Sequence, residues 1–210
     1  MLAALLLSLS LSGPGSVPPP PGQAAVPPST ATVALRGGGY YGSGVVWDPA
    51  AGLVLTALHV VEDMPDIEAT LPGGAERRAV VVDRDPALDL ALVRLEGGAA
   101  GVPAAHRASH PPAAGALVRL RGCPRDRCDG EVLGAVLAPL WRFAGGDYLR
   151  IAAPVEPGAS GGPVLDAEGA VVGIVDLALL SPGGVALAVP IAAAERRFGG
   201  GAVALAGARK

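Results

Sequence analysis

From Thr32 onward the apolar residues come in short runs, each closed by a turn signal. Thr32-Val33-Ala34-Leu35-Arg36 opens the series, and Gly44-Val45-Val46-Trp47 leads into the turn Asp48-Pro49-Ala50-Ala51-Gly52. Leu53-Val54-Leu55-Thr56 then reads as the partner strand of a hairpin. Further runs lie at 67–71, 79–82 and 90–93, and a second set at 116–120, 132–137, 148–152, 163–165, 170–175 and 185–189. Between the sets runs a Pro- and Ala-rich bridge, 101–115. Only Ile191 to Phe198, with Pro190 at its start, reads as a helix. The pattern predicts an all-β chain: two packed antiparallel six-stranded β-barrels in series, about 31–100 and 115–190, with a short C-terminal helix. No internal repeat recurs at a fixed period.

Composition sharpens this picture. Gly 31 and Pro 21 in 210 residues favour many short strands over long helices, and the scarcity of aromatics leaves the core to Val, Leu, Ile and Ala. A formal charge of -3 gives no reason to expect nucleic acid or an anionic membrane as partner. Residues 1–12 form an uncharged apolar run of signal-peptide core length, too short to span a bilayer, although a positively charged start and a clean cleavage site are missing. A Pro- and Gly-rich linker, 13–30, should follow as an extended tether, and 31–210 should be the folded domain. The expectation is export to the periplasm or outside the cell, tethered if the N-terminus is left uncleaved, with no stable membrane span.

Candidate chemistry centres on Glu156-Pro157-Gly158-Ala159-Ser160-Gly161-Gly162-Pro163, a serine at the crest of a glycine-rich turn. A serine hydroxyl is a poor nucleophile at neutral pH, so it needs a base, a group to orient that base, and backbone N–H groups for a developing oxyanion. Taken alone, the loop is equally an ordinary β-turn. His59, one of three histidines, stands just past the end of the second hairpin strand in Leu55-Thr56-Ala57-Leu58-His59-Val60-Val61. It reads either as a core histidine or as a general base at a cleft. Asp89 lies among apolar residues in Asp85-Pro86-Ala87-Leu88-Asp89-Leu90, where burial would be costly without a donor such as an imidazole N–H. Asp83 and Asp85, in the preceding turn, read as solvated.

The segments Gly42 to Val61, Asp89-Leu90-Ala91-Leu92-Val93, Gly122-Cys123-Pro124, Glu156 to Val164 and Ala188-Val189-Pro190-Ile191 resemble those of trypsin-fold serine proteases of the bacterial HtrA (Deg) type, over roughly residues 32–198. The order His, Asp, Ser agrees with that fold and not with the subtilisin or α/β-hydrolase orders. The resemblance implies a serine endopeptidase without a cofactor, acting on polypeptides. It makes Ser160 the nucleophile, His59 the base, Asp89 the orienter, and the amides of Gly158 and Ser160 the oxyanion hole. Ala159 departs from the family's usual Asn, and the sequence ends about 20 residues after Pro190, so no PDZ domain is expected. A catalytically silent, peptide-binding copy of the fold is the alternative, and an esterase a weaker one. Nothing bears on oligomeric state.

Cys123 and Cys128 can close a small disulfide loop, the default in an exported protein. The sharper alternative adds His106 and His110 to make a four-ligand zinc site, against which the expectation is no metal. By family position the substrate pocket involves Pro154, Asp176, Leu177, Ala178 and Ala186. The approach to the nucleophile, Ile151-Ala152-Ala153-Pro154-Val155, is uncharged, which predicts cleavage after small or medium apolar residues. Asp176 is unexpected where the family has a neutral polar residue. It reads as a strand-end carboxylate facing water, or else as a neighbour of Asp89 whose repulsion raises one of the two pKa values.

Overall fold

β-branched and aliphatic residues alternate with turn signals, and the first half of the chain answers with six strands. These are Thr32–Gly37 (β1), Tyr40–Asp48 (β2), Leu53–Ala57 (β3), Ile67–Thr70 (β4), Glu76–Asp85 (β5) and Leu90–Leu95 (β6). They close into an antiparallel barrel in the order β1-β2-β3-β6-β5-β4. The second half gives Leu117–Gly122 (β7), Gly130–Phe143 (β8), Gly146–Ala152 (β9), Pro163–Leu165 (β10), Val171–Leu179 (β11) and Val185–Pro190 (β12), closed as β10-β11-β12-β9-β8-β7. The protein is therefore all-β, with two six-stranded barrels. The structure is a computed structural model that describes residues 31–124, 128, 130–179 and 184–199. The segments read above as a signal-peptide core (1–12) and a linker (13–30), with residues 200–210, lie outside the described residues.

Each barrel is filled by aliphatic side chains, as small closed barrels require. Leu35, Leu55, Leu90 and Leu92 are fully buried in the first, and Leu149, Ile151 and Leu187 in the second. The first cluster extends across the seam to Leu165, Ile174, Val189 and Ile191, so the two barrels share apolar core. Strand β8 is longer than its apolar run predicts. It continues past Pro139 to Phe143, and its register against β9 shifts between Val136 and Ala138 and again between Ala138 and Trp141. Pro139 has no N–H to give a ladder, and irregular pairing accommodates it.

Two expectations need correction. Ile191–Phe198 (here α2) is a helix as expected, but Leu58–Val61 (α1) is a second, one-turn helix. Its sequence, Leu-His-Val-Val, lies just past the predicted strand and carries no helix signal. The chain turns because the Asp89 carbonyl accepts from the Leu58 N–H at 2.9 Å and the Asp89 carboxylate accepts from the His59 N–H at 3.0 Å. Asp83 and Asp85 are not simply solvated. Arg197 of α2 donates to both Asp83 oxygens, at 2.9 and 2.5 Å, and its Nε lies 3.2 Å from Asp85. The ion pairs hold the helix to barrel one.

Among the described residues no helix is long and apolar enough to cross a membrane.

Candidate active site

His59, on α1, and Asp89, at the mouth of β6, are brought together by backbone geometry that only a few residue types tolerate. Asp89 has φ 51, the left-handed region that Asp enters more readily than most residues. That conformation folds its carbonyl and carboxylate over the start of α1, and the second carboxylate oxygen meets His59 Nδ1 in a short hydrogen bond. The Asp89 hydrogen bond raises the His59 pKa above its ordinary value, against the opposing effect of partial burial. Burial alone would raise Asp89, but hydrogen bonds from His59 and Asp176 outweigh it and hold the carboxyl below the usual carboxylate range.

Ser160 comes from barrel two, on the loop before β10. The loop is laced to its surroundings through its main chain. Gly161 N–H donates to the Val175 carbonyl at 2.7 Å, Val175 N–H donates to the Gly162 carbonyl at 2.8 Å, and Ser43 N–H donates to the Ser160 carbonyl at 2.8 Å. Glycine is required at 161: with φ +81, a Cβ there would sit 2.1 Å from the Ser43 carbonyl oxygen and 2.3 Å from Thr56 Oγ1. The Ser160 hydroxyl is half-buried and donates to the Asp176 carbonyl at 3.2 Å. The amides of Ala159, Gly161 and Gly162 are all used. Among the described residues, those of Gly158 and Ser160 donate to nothing. Unused amides on a tight turn are donors of the kind that bind anions.

Ser43 is the residue that sequence reasoning missed. It is fully buried, donates from its hydroxyl to the Gly158 carbonyl at 2.5 Å and accepts from the Cys123 N–H at 2.8 Å. The hydroxyl thus ties the Gly158 carbonyl to the Cys123 N–H, which makes it a pin for the Ser160 loop. Its position between Gly42 and Gly44 in an apolar strand was the available signal. Cys123 and Cys128 are bonded to each other, with Cα atoms 4.0 Å apart, beside this pin. That bond consumes the thiolates that the zinc alternative needed. His110 instead pairs with Ser109, and the His106 carbonyl accepts from Val171 N–H.

Asp176 does not face water. It is 3% exposed, and its Oδ1 lies 3.7 Å from His59 Nδ1. The antiparallel register of β11 against β12 shifts between Val175 and Leu177, and this bulge turns Asp176 inward while Leu177 stays exposed. Burial, then the hydrogen bond and charge of Asp89, push the Asp176 carboxyl up to about 7. The Tyr148 phenol, on β9, faces the same group and is itself raised by burial and by Asp176. Of the remaining pocket candidates, Ala186 is buried, Pro154 is exposed, and Ala178 pairs with Ala186 through the backbone.

Residues 42–174 match the family model described as "Trypsin-like peptidase domain". The chain is 32% identical over 161 residues to "Serine protease HTRA4" of Homo sapiens, covering 72% of this chain and 33% of that protein. It is 31% identical over 159 residues to "Probable periplasmic serine protease do/HhoA-like" of Haemophilus influenzae, covering 71% and 34%. It thus spans about a third of the length of these curated relatives. A crystal structure of the serine endoprotease from Yersinia pestis superposes with a TM-score of 0.74 at 26% identity, covering 86% of this chain and 66% of that one.

Proposed function

The chain belongs to the trypsin-like peptidase family, in its HtrA type, and on that premise we propose that it is a serine endopeptidase with Ser160 as nucleophile, His59 as base and Asp89 as orienter. One observation carries the reading. An imidazole bonded to a carboxylate has Asp176 beside it, and the Asp176 main-chain carbonyl accepts from a half-buried serine hydroxyl whose loop has two unengaged amides.

The steps follow from that geometry. With a peptide in the cleft, the Ser160 hydroxyl leaves the Asp176 carbonyl by rotation about its own side chain and presents its proton to the free ring nitrogen of His59. Hydrogen bonds at such sites are commonly loose until substrate binds. Oγ adds to the scissile carbonyl, and the amides of Gly158 and Ser160 hold the oxyanion. His59, now a cation stabilised by Asp89, returns the proton to the leaving amine. The acyl-enzyme is then hydrolysed by water activated in the same way. None of these steps calls for a cofactor.

Bond choice follows from the absence of charge between Ile151 and Val155 and from the buried Ala186. An uncharged pocket would desolvate a substrate cation without pairing it, at a cost of several kcal/mol. Asp176, the carboxylate among the pocket candidates, is engaged with His59 and Asp89. Cleavage after Ala, Val or Leu is therefore expected. Matched peptides with Val, Leu, Phe or Arg before the scissile bond test this by their kcat/KM values, and a preference for Arg would reject it. The substrates are polypeptides. The site of action is outside the cytoplasm, in keeping with the periplasmic Haemophilus relative and with the Cys123–Cys128 bond.

A further inference from the structure

We propose that Asp176 is a positioning residue that works as a neutral carboxylic acid, donating a hydrogen bond to Asp89 and so fixing that carboxylate against His59. The inference rests on the assignment of Asp89 and His59 above. His59, Asp89 and Asp176 each offer a nitrogen or carboxylate oxygen within 4.8 Å of the others. The carboxyls of Asp89 and Asp176 are close enough for each to alter the other's affinity for protons. Two carboxylates so placed repel, and a single proton between them replaces repulsion with a hydrogen bond. Asp176 is the member that keeps it. It is 3% exposed, whereas the Asp89 side chain is 28% exposed and already accepts from both the backbone N–H and the ring of His59.

The groups facing this proton come from every neighbouring element. Asp89 and His59 come from barrel one, Tyr148 comes from β9, and Glu62 adds a weaker negative charge felt by His59. Among the groups that set the Asp176 pKa, only His59 and Tyr148 favour its ionised form, and burial and Asp89 oppose them. When the proton does leave, at about 7, the new charge raises the affinity of His59 for protons and holds the ring as a cation that cannot act as a base. The pair therefore loses protons as a coupled unit.

The test uses the full chain carrying Ser160→Ala, so that it does not depend on turnover. The ring of His59 is followed by NMR across pH, with Asp176 and with Asp176→Asn, which supplies a permanent neutral donor. Expected is a broad, two-step curve for Asp176 that becomes a single step at lower pH in the Asn variant. Single-step curves of equal midpoint would overturn the proposal. A single step with Asp176 that merely shifts in Asp176→Asn would overturn it too, because the carboxyl would then be ionised throughout. Infrared spectra of the otherwise unaltered chain give an answer even if the variants misfold. A protonated carboxylic C=O band should be present at about pH 6.5, where ordinary carboxyls are ionised, and vanish toward about pH 8.5, and its absence at the lower pH rejects the neutral acid. In the active chain, Asp176→Leu should lower kcat by about tenfold at little change in KM, the effect of one lost hydrogen bond. Asp176→Asn should recover that loss and move the acid limb of kcat/KM to lower pH. Equal losses in Leu and Asn with an unmoved limb would mean a structural role only. Failure of peptide hydrolysis with a normal two-step titration would instead fault the protease assignment.

Discussion

The two barrels hold their shares of the candidate site by different physics. Barrel one presents His59 and Asp89 through charge. A left-handed aspartate caps a one-turn helix, and a short carboxylate–imidazole bond sets the ring. Barrel two presents Ser160 through sterics and main-chain bonds, with glycines that admit no Cβ, carbonyls that accept from Ser43 and Val175, and the Gly161 amide donating to Val175. The first share is therefore sensitive to protonation and the second to volume. Asp176 is the exception that joins them: a barrel-two residue whose carbonyl holds the Ser160 hydroxyl while its carboxyl faces the pair from barrel one.

Breaking the charged share should have the larger effect. Asp89→Asn keeps the shape but presents the wrong imidazole tautomer, and kcat should fall by roughly four orders of magnitude. A loss within about tenfold would mean that another acid orients His59. The steric share is probed by Ser43→Ala, which leaves the buried Gly158 carbonyl and Cys123 N–H each without its partner. At about 1–3 kcal/mol for each unpaired group, urea unfolding should show a loss of about 3 kcal/mol. A loss under about 0.5 kcal/mol would show that water takes over both groups.

The smallest effect is the pH dependence of stability. The Asp176 carboxyl is raised from 3.8 to about 7 on folding, so the folded state binds the proton more tightly than the unfolded one. Its contribution is fully present below the unfolded value and is lost as pH rises through about 7. The Tm of Asp176→Asn relative to the unaltered chain should therefore climb between about pH 4 and pH 7 and level off above. A flat difference across that range would show that Asp176 titrates as it does in the unfolded chain.

The two-barrel architecture was legible because short apolar runs and turn signals are local, and α2 because a proline stands at its start. The segments around His59, Asp89 and Ser160 were legible as motifs in a recognisable order. What was not legible depends on register or on long-range partners. The inward turn of Asp176 comes from a one-residue shift between β11 and β12. The helix α1 exists because Asp89, thirty residues on, accepts the N–H groups of its first turn. Asp83 and Asp85 looked solvated because Arg197 is more than a hundred residues away in the chain. Tyr148 carried no signal, since only the closure of barrel two brings β9 to the site.

The central claim is that Ser160 is a nucleophile activated by His59. A fluorophosphonate probe reacts with such a serine and leaves the phosphorus on its oxygen, so peptide mapping of the labelled protein tests the claim directly. One equivalent of label on Ser160, absent in His59→Ala and in Ser160→Ala, is the predicted result. No labelling of the unaltered chain, or labelling of equal extent in His59→Ala, would contradict it and would favour a peptide-binding copy of the fold without catalysis.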